Sequence, residues 1–355
     1  MDELAGQALT PAIQHYLMHA SASLFAGAPV EIAASWAGDD HLLWRVIAQE
    51  SVAVVKLFMD AGQARSRRQF DGHTRLAPHG LAPLPLWTDR YPEGLARQLL
   101  VYRWNPGSPV DPSAPDMLAA WAAAVARLHT LELAEVRRFS PHPINLDYYW
   151  RIESTTLAQI QDWLAGPSRQ LATYLTALAS KAQAEIHASQ VEGEAAAPTP
   201  IHGDLRIDHT LLDRGGIIFL DWELFGIGDP ALEIARLLHR ERHALSAAQQ
   251  AHWLDHYLQQ ADLPVGAPRI ARYRRLLALH DVTFLLGGLA QQSHTSLDPA
   301  LHAALPFLHT TLLHALGEAA ATYALPLPDT TDADIGAILR PFQYPHTTTN
   351  RSTDD

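Results

Sequence analysis

Residues 201–236 read IHGDLRIDHTLLDRGGIIFLDWELFGIGDPALEIAR, and the reading of the whole chain turns on this stretch. Asp204 stands in a turn after a short apolar segment, and Asp221 closes the apolar run Ile217-Ile218-Phe219-Leu220. Acids on neighbouring turns suit metal and phosphate chemistry. One accepts a proton from a hydroxyl nucleophile while the other holds a divalent cation against the phosphates of a nucleotide. Taken singly the residues are ordinary: Asp204 a turn former, Asp221 a strand-end cap, His209 a core histidine. Their spacing, with a strand between them, makes the pattern specific. Asp229-Pro230 reads as a helix start, with the carboxylate as N-cap and proline at the first helical position. His202 is suited to hold the turn by bonding to backbone.

Upstream, Val30 to Ala34, Leu42 to Val46 and Ser51 to Phe58 read as three short strands of a small antiparallel sheet, rich in apolar and β-branched residues. The connection Ser35-Trp36-Ala37-Gly38-Asp39-Asp40-His41 has one glycine and two acids, which makes it a hairpin turn rather than a phosphate loop. Lys56 lies near the end of the third strand, before a helical segment from Gln63 to Leu76. Leu99-Leu100-Val101-Tyr102-Arg103-Trp104 is a further apolar strand, broken at Asn105-Pro106-Gly107. Beyond it the period changes: Leu118, Trp121, Val125 and Leu128 form one helical stripe. Helical patterns continue over Tyr148 to Leu164, Arg169 to Ala188, His252 to Leu258, Ile270 to Gln292 and Leu301 to Tyr323, with a loop at 192–198.

The order His-Gly-Asp, hairpin, Asp-Trp-Glu, Gly-Asp-Pro resembles the aminoglycoside phosphotransferase and choline kinase group of kinase-like small-molecule phosphotransferases. That resemblance implies an α+β, bilobal protein-kinase-like fold, with a small antiparallel-sheet N-lobe and a large, mainly helical C-lobe. The expected division is 1–104 for the nucleotide-binding lobe with its hinge, 105–325 for the catalytic and substrate lobe, and 326–355 for a loosely ordered tail. It also implies roles: Asp204 as base, His209 and Asp221 as metal ligands, Lys56 on nucleotide phosphates, and Val101, Tyr102, Arg103 and Trp104 along the base. Most of the family has asparagine where His209 stands, and branches with histidine, macrolide phosphotransferases among them, include users of GTP. The co-substrate is thus ATP or GTP with Mg²⁺, and two magnesium ions are expected. The family's helix glutamate, which pairs with the strand lysine, is missing here, leaving Asp71 or Gln69. Arg206 either neutralises charge on the transferred phosphoryl group or pairs with Asp208. Glu223 and Asp281 are candidates for the acceptor. His280 and Asp281 interrupt an apolar helix, so they need either a partner such as Arg274, Arg275 or Arg240, or a place on a cleft wall.

The 355 residues are 48% hydrophobic and carry a net charge of −12, which opposes polyphosphate backbones and argues against a nucleic-acid partner. No cysteine is present, so disulfide and thiolate chemistry are excluded. The first residues lack a secretory pattern and no uncharged apolar run reaches about 18 residues, so the expectation is a cytoplasmic protein that engages no membrane. Its expected partner is a small-molecule hydroxyl acceptor. Two look-alikes are set aside. Gly226-Ile227-Gly228-Asp229-Pro230-Ala231 fits a dinucleotide fingerprint but would set Asp229 against a pyrophosphate. His239-x-Glu241-x-His243 has the spacing of a zinc pair but no evident third ligand. A nucleotide-binding regulatory module on the same fold is the rival to an active enzyme.

Overall fold

The computed structural model describes residues 3–38, 40–60, 64–132, 139–191, 197–261, 266–292 and 299–343. It divides into two compact units, Met1–Ile144 with Ala196–Gly266, and Asn145–Ala195 with Ala267–Asp355. Residues 196–266 belong to the unit that holds the N-terminal sheet, and Asp221 and Glu223 among them are ion-paired with Lys56 of that sheet.

In the first unit, helix α1 (Glu3–His19) precedes strands β1 (Val30–Ala37), β2 (His41–Ala48), β3 (Ser51–Phe58), β4 (Pro85–Asp89) and β5 (Leu99–Arg103). They form one antiparallel sheet in the order β1-β2-β3-β5-β4. The alternation along β2 sends Leu42, Trp44, Val46 and Ala48 into a core with Ile13, Tyr16 and Leu17 of α1. The other face carries Leu43, Val54, Phe58, Leu100, Tyr102 and Trp104. Lys56 shares this second face, since Leu43, Lys56 and Leu100 lie in register across three strands and Arg45, Val54 and Tyr102 form the next row. β4 has no strand signal in the sequence because prolines begin it, and it sits at the sheet edge, where a missing N–H costs no ladder bond.

Helix α2 (Arg65–Leu76) follows β3, and α3 (Pro115–His129) follows the short β6 (Ser108–Pro109). β6 pairs with β8 (Thr210–Asp213), which pairs in turn with β9 (Gly216–Phe219). β7 (Thr199–Ile201) pairs antiparallel with β10 (Gly226–Gly228), so the glycine run is a strand in a hairpin and not the first turn of a βαβ unit. Asp229 caps helix α6 (Pro230–Arg240) by accepting from the Ala231 N–H at 3.0 Å. α7 (Ala247–Gln260) completes the unit and packs on α3.

The second unit is helical: α4 (Leu146–Leu164), α5 (Arg169–Val191), α8 (Ala267–Gln292), α9 (Pro299–Thr322) and α10 (Thr331–Gln343). Tyr149, Leu157 and Ile160 of α4 are buried, as are Tyr273, Leu279 and Leu286 of α8. No described helix is long and apolar enough to cross a membrane. The tail from 326 onward is not loose throughout. α10 packs on α9 and α5 and buries Ile335, Ile338, Leu339 and Phe342, an i, i+3, i+4, i+7 stripe hidden in the sequence by Pro326, Pro328 and Pro341. Each of those side chains contributes about 1.5–3 kcal/mol when buried. Truncation after Leu325 should therefore lower the thermal midpoint by about 10 °C or more, read by calorimetry; an unchanged midpoint would show that α10 adds nothing.

Candidate active site

The turn after β7 is built around glycine and two buried polar side chains. Gly203 has φ +89° and lies against the Leu224 backbone, so a side chain there would be both strained and crowded. Glu233, from the first turn of α6 and 3% exposed, accepts from the Gly203 N–H at 2.6 Å and the His202 N–H at 3.2 Å. His129 Nε2 lies 2.8 Å from the same carboxylate, and its Nδ1 is 2.8 Å from the Tyr257 hydroxyl. Burial pushes the Glu233 carboxyl up, but the His129 hydrogen bond and the surrounding positive groups prevail and hold it below the usual range. His202 is fully buried, which keeps it neutral. Its Nε2 donates to the Leu220 carbonyl at 2.7 Å while Nδ1 accepts from the Asp204 N–H at 3.3 Å. One imidazole thus ties the Asp204 turn to the residue before Asp221.

Asp204, His209 and Asp221 come together. His209 Nδ1 lies 3.8 Å from Asp204 Oδ2, and its Nε2 lies 4.0 Å from Asp221 Oδ2. Arg240, at the end of α6, binds Asp204 Oδ1. Burial raises the Asp204 carboxyl, but the Arg240 hydrogen bond and charge outweigh it and leave the group ionised below its ordinary value. Asp221 adopts φ +62°, ψ +61°, a left-handed conformation that costs a non-glycine residue about 1–2 kcal/mol and aims its carboxylate into the site.

Lys56, 2% exposed, places Nζ 2.7 Å from Asp221 Oδ1 and 2.5 Å from Glu223 Oε1. Burial again raises the Asp221 carboxyl and the Lys56 ammonium more than offsets it, so Asp221 is ionised well below the carboxylate range. Arg65 contacts Glu223 Oε2 at 3.2 Å and also Asp40, and Arg68 Nε donates to the Glu223 carbonyl at 2.9 Å. Asp40, His41 and Glu223 lie close enough to share a cation, but Lys56 and Arg65 already neutralise these carboxylates, so the cluster is an ion-pair network.

Several expectations need correction. Asp71 does not reach Lys56: it is exposed on α2 and pairs with Arg75 at 3.2 Å, one turn on. Gln69 is buried with its amide 3.4 Å from His73 Nε2. Glu223, expected near the acceptor, takes the place beside the lysine. Arg206 is bound to Asp208, Nε to Oδ1 at 2.8 Å, and does not contact Asp204; the basic group on Asp204 is Arg240, a candidate partner of Asp281 from sequence alone. Among the expected base-contacting residues, Val101 and Tyr102 are buried in the sheet. The N–H groups of Arg103 and Trp104 already donate to Leu84 and Val52 carbonyls at 2.8 and 3.0 Å. In His239-x-Glu241-x-His243, Glu241 is buried and accepts from the Ile207 N–H at 3.0 Å, and α6 ends at Arg240, so the two imidazoles do not share one continuous α-helix.

Within the second unit, Asp281 and His280 lie on α8. The partner of His280 is Glu153 of α4, 4% exposed, at 2.6 Å, and Thr283 donates to the same carboxylate at 2.8 Å. Arg275 is engaged by Glu185. Glu153, Ile152, His280, Thr283 and Phe284 line a cavity of about 480 Å³. No sequence signal pointed to Glu153, because its partner lies 127 residues away.

The phosphotransferase enzyme family model matches residues 33–277, and the chain belongs to that family. No curated protein matches it significantly. Solved structures share its α+β kinase-like fold. A choline/ethanolamine kinase family protein from Mesorhizobium loti superposes with TM-score 0.55 and 18% identity, covering 93% of this chain and 99% of its own. The ADP-bound aminoglycoside phosphotransferase APH(2'')-Ib gives TM-score 0.56 and 15% identity over 91% and 99%. LicA, the choline kinase of Streptococcus pneumoniae, in complex with AMP gives 0.51 and 14% over 91% and 99%.

The buried imidazoles set the pH response of stability. Burial, with the Lys56 charge, pushes His73 down to about 3, and burial with Arg236 pushes His142 down to about 4. Both groups have pKa values near 6.5 when unfolded, so their stabilising neutral state is fully present above about pH 6.5 and lost as pH falls toward the folded values. The depressed carboxyls of Asp204, Asp221 and Glu233 add a further loss only below about pH 4. The urea midpoint should fall steadily from pH 7 to pH 5; a flat midpoint over that range would contradict neutral burial of these histidines.

Proposed function

We propose that the protein transfers the γ-phosphate of ATP or GTP to a hydroxyl of a small molecule, either an aminoglycoside or macrolide antibiotic or an amino alcohol or sugar metabolite. The observation that carries this reading is the convergence of Asp204, His209 and Asp221 beside a buried lysine. Asp204, ionised and held by Arg240, orients the acceptor hydroxyl and receives its proton as the oxygen bonds to the γ-phosphorus and the bond to the β-phosphate oxygen breaks. Lys56 supplies a point charge to the nucleotide phosphates. Asp221 Oδ2, on the side away from Lys56, offers a carboxylate oxygen, and His209 offers a nitrogen. Magnesium commonly takes one or two protein carboxylates and fills its remaining sites with water and phosphate oxygens, so this donor set fits it. When bound, the ion would offset negative charge on the phosphates. Absence of cysteine supports a cytoplasmic setting.

A nucleotide-binding regulatory module is the second reading, favoured by the cation partners that Asp204 and Asp221 already have in Arg240 and Lys56. Incubation with ATP or GTP, magnesium and a panel of hydroxylated small molecules separates the two; binding without turnover on any member favours the module. Asp221→Asn should abolish turnover with the fold retained, since Glu223 still balances the Lys56 ammonium, and near-normal turnover would sink the assignment. Asp204→Asn should lower kcat by about 10²–10⁴ with nucleotide affinity little changed. For the acceptor, Asp281→Asn should raise its KM and leave the nucleotide KM alone; unchanged kinetics would return Asp281 to a purely structural place.

A further inference from the structure

Arg45 is the basic residue on the inner face of the sheet that the chemistry above does not use. It sits on β2 in register with Val54 and Tyr102, one row from Leu43, Lys56 and Leu100. One row is about 7 Å along a strand, so Arg45 faces the same side as Lys56 but nearer to Trp104. Its guanidinium lies over the Trp104 ring, 4.7 Å from the centroid. Its Nε is buried without a hydrogen-bond partner, and among the described residues no acid pairs with it. In a chain of net charge −12, a half-buried guanidinium without a carboxylate is out of keeping with its surroundings. An unmet buried donor is costly, and a ligand that supplies acceptors removes the cost.

The neighbouring surface is flat and aromatic. Trp36 and Trp104 are parallel to within 4° with centroids 6.0 Å apart, and Trp36 is 40% exposed. Such rings stack against any nucleobase. Selection between bases must then come from polar groups, and the Arg103 and Trp104 N–H groups are already taken by Leu84 and Val52. Arg45 remains, and it is a donor only. Guanine presents two adjacent acceptors, O6 and N7; adenine presents N7 beside an amino donor that an arginine cannot satisfy.

We infer that Arg45, with Trp36 and Trp104, forms a purine site that selects guanine, so that the phosphoryl donor is GTP rather than ATP. This rests on the phosphotransferase reading and narrows it. Lys56 at the phosphates and Arg45 at the base place the two ends of one nucleotide on a single sheet face.

The test is calorimetric titration of the full chain with GTP, ITP and ATP in magnesium, for the wild type and Arg45→Met, which keeps the apolar stem. GTP should bind at least tenfold more tightly than ATP, within the roughly 5- to 150-fold that a bidentate arginine–guanine pair supplies. ITP, which keeps O6 and N7, should follow GTP. Arg45→Met should weaken GTP and ITP tenfold or more and change ATP by less than about threefold. Equal or tighter binding of ATP by the wild type overturns the inference while leaving phosphotransfer standing. Equal weakening of all three nucleotides in the variant overturns it too, since Arg45 would then serve phosphate or fold. If the variant fails to fold, the wild-type ratio of ITP to ATP decides, and a ratio near one is a refutation. A wild type that binds none of the three refutes the inference together with the reading beneath it.

Discussion

The ammonium of Lys56, buried in the sheet and held between Asp221 and Glu223, is the constraint on which the site depends. A buried charge without a counter-ion costs several kcal/mol, so β3 and the Asp221 turn, 165 residues apart, must meet where the ion pairs close. The same contact helps to hold Asp221 in its left-handed conformation. Glu223, two residues on, adds a second carboxylate and draws in Arg65 from α2, while its carbonyl receives Arg68. The helix therefore contributes cations, and charge balance at the lysine is met from the Asp221 turn.

A second buried carboxylate fixes the Asp204 turn. Glu233 takes the N–H groups of His202 and Gly203, so the backbone of the Asp204 turn is fixed from the first turn of α6. His129 and Tyr257 complete a fully protein-internal chain of polar contacts behind it. Because these groups are removed from water, each bond is worth more than at the surface and each lost partner costs more. The same helix ends in Arg240, which meets Asp204 itself. One helix thus governs both the geometry of the turn and the ionisation of its acid.

The sheet, its antiparallel pairing and the hairpin between Asp204 and Asp221 were legible in the sequence because their signals are local. Two-residue alternation marks β2, and Asp229-Pro230 marks the start of α6 within two residues. α10 was masked by prolines at its ends, and β4 by the prolines that an edge strand tolerates. The two compact units are not legible in the sequence, because they are set by contacts between distant segments rather than by where strand patterns give way to helical ones.

By itself the sequence determined the spacing of Asp204, His209 and Asp221, and the alternation that puts Lys56 on the same side of β3 as Val54 and Phe58, since both follow from chain geometry over a few residues. Only the tertiary structure decided which charges meet. Asp71 found Arg75 four residues away on its own helix, whereas Lys56 found Glu223, Asp204 found Arg240, and His280 found Glu153 across long separations. Partner choice among distant ions depends on which side chains packing brings within about 4 Å and removes from water, and no pattern of neighbours along the chain encodes that distance.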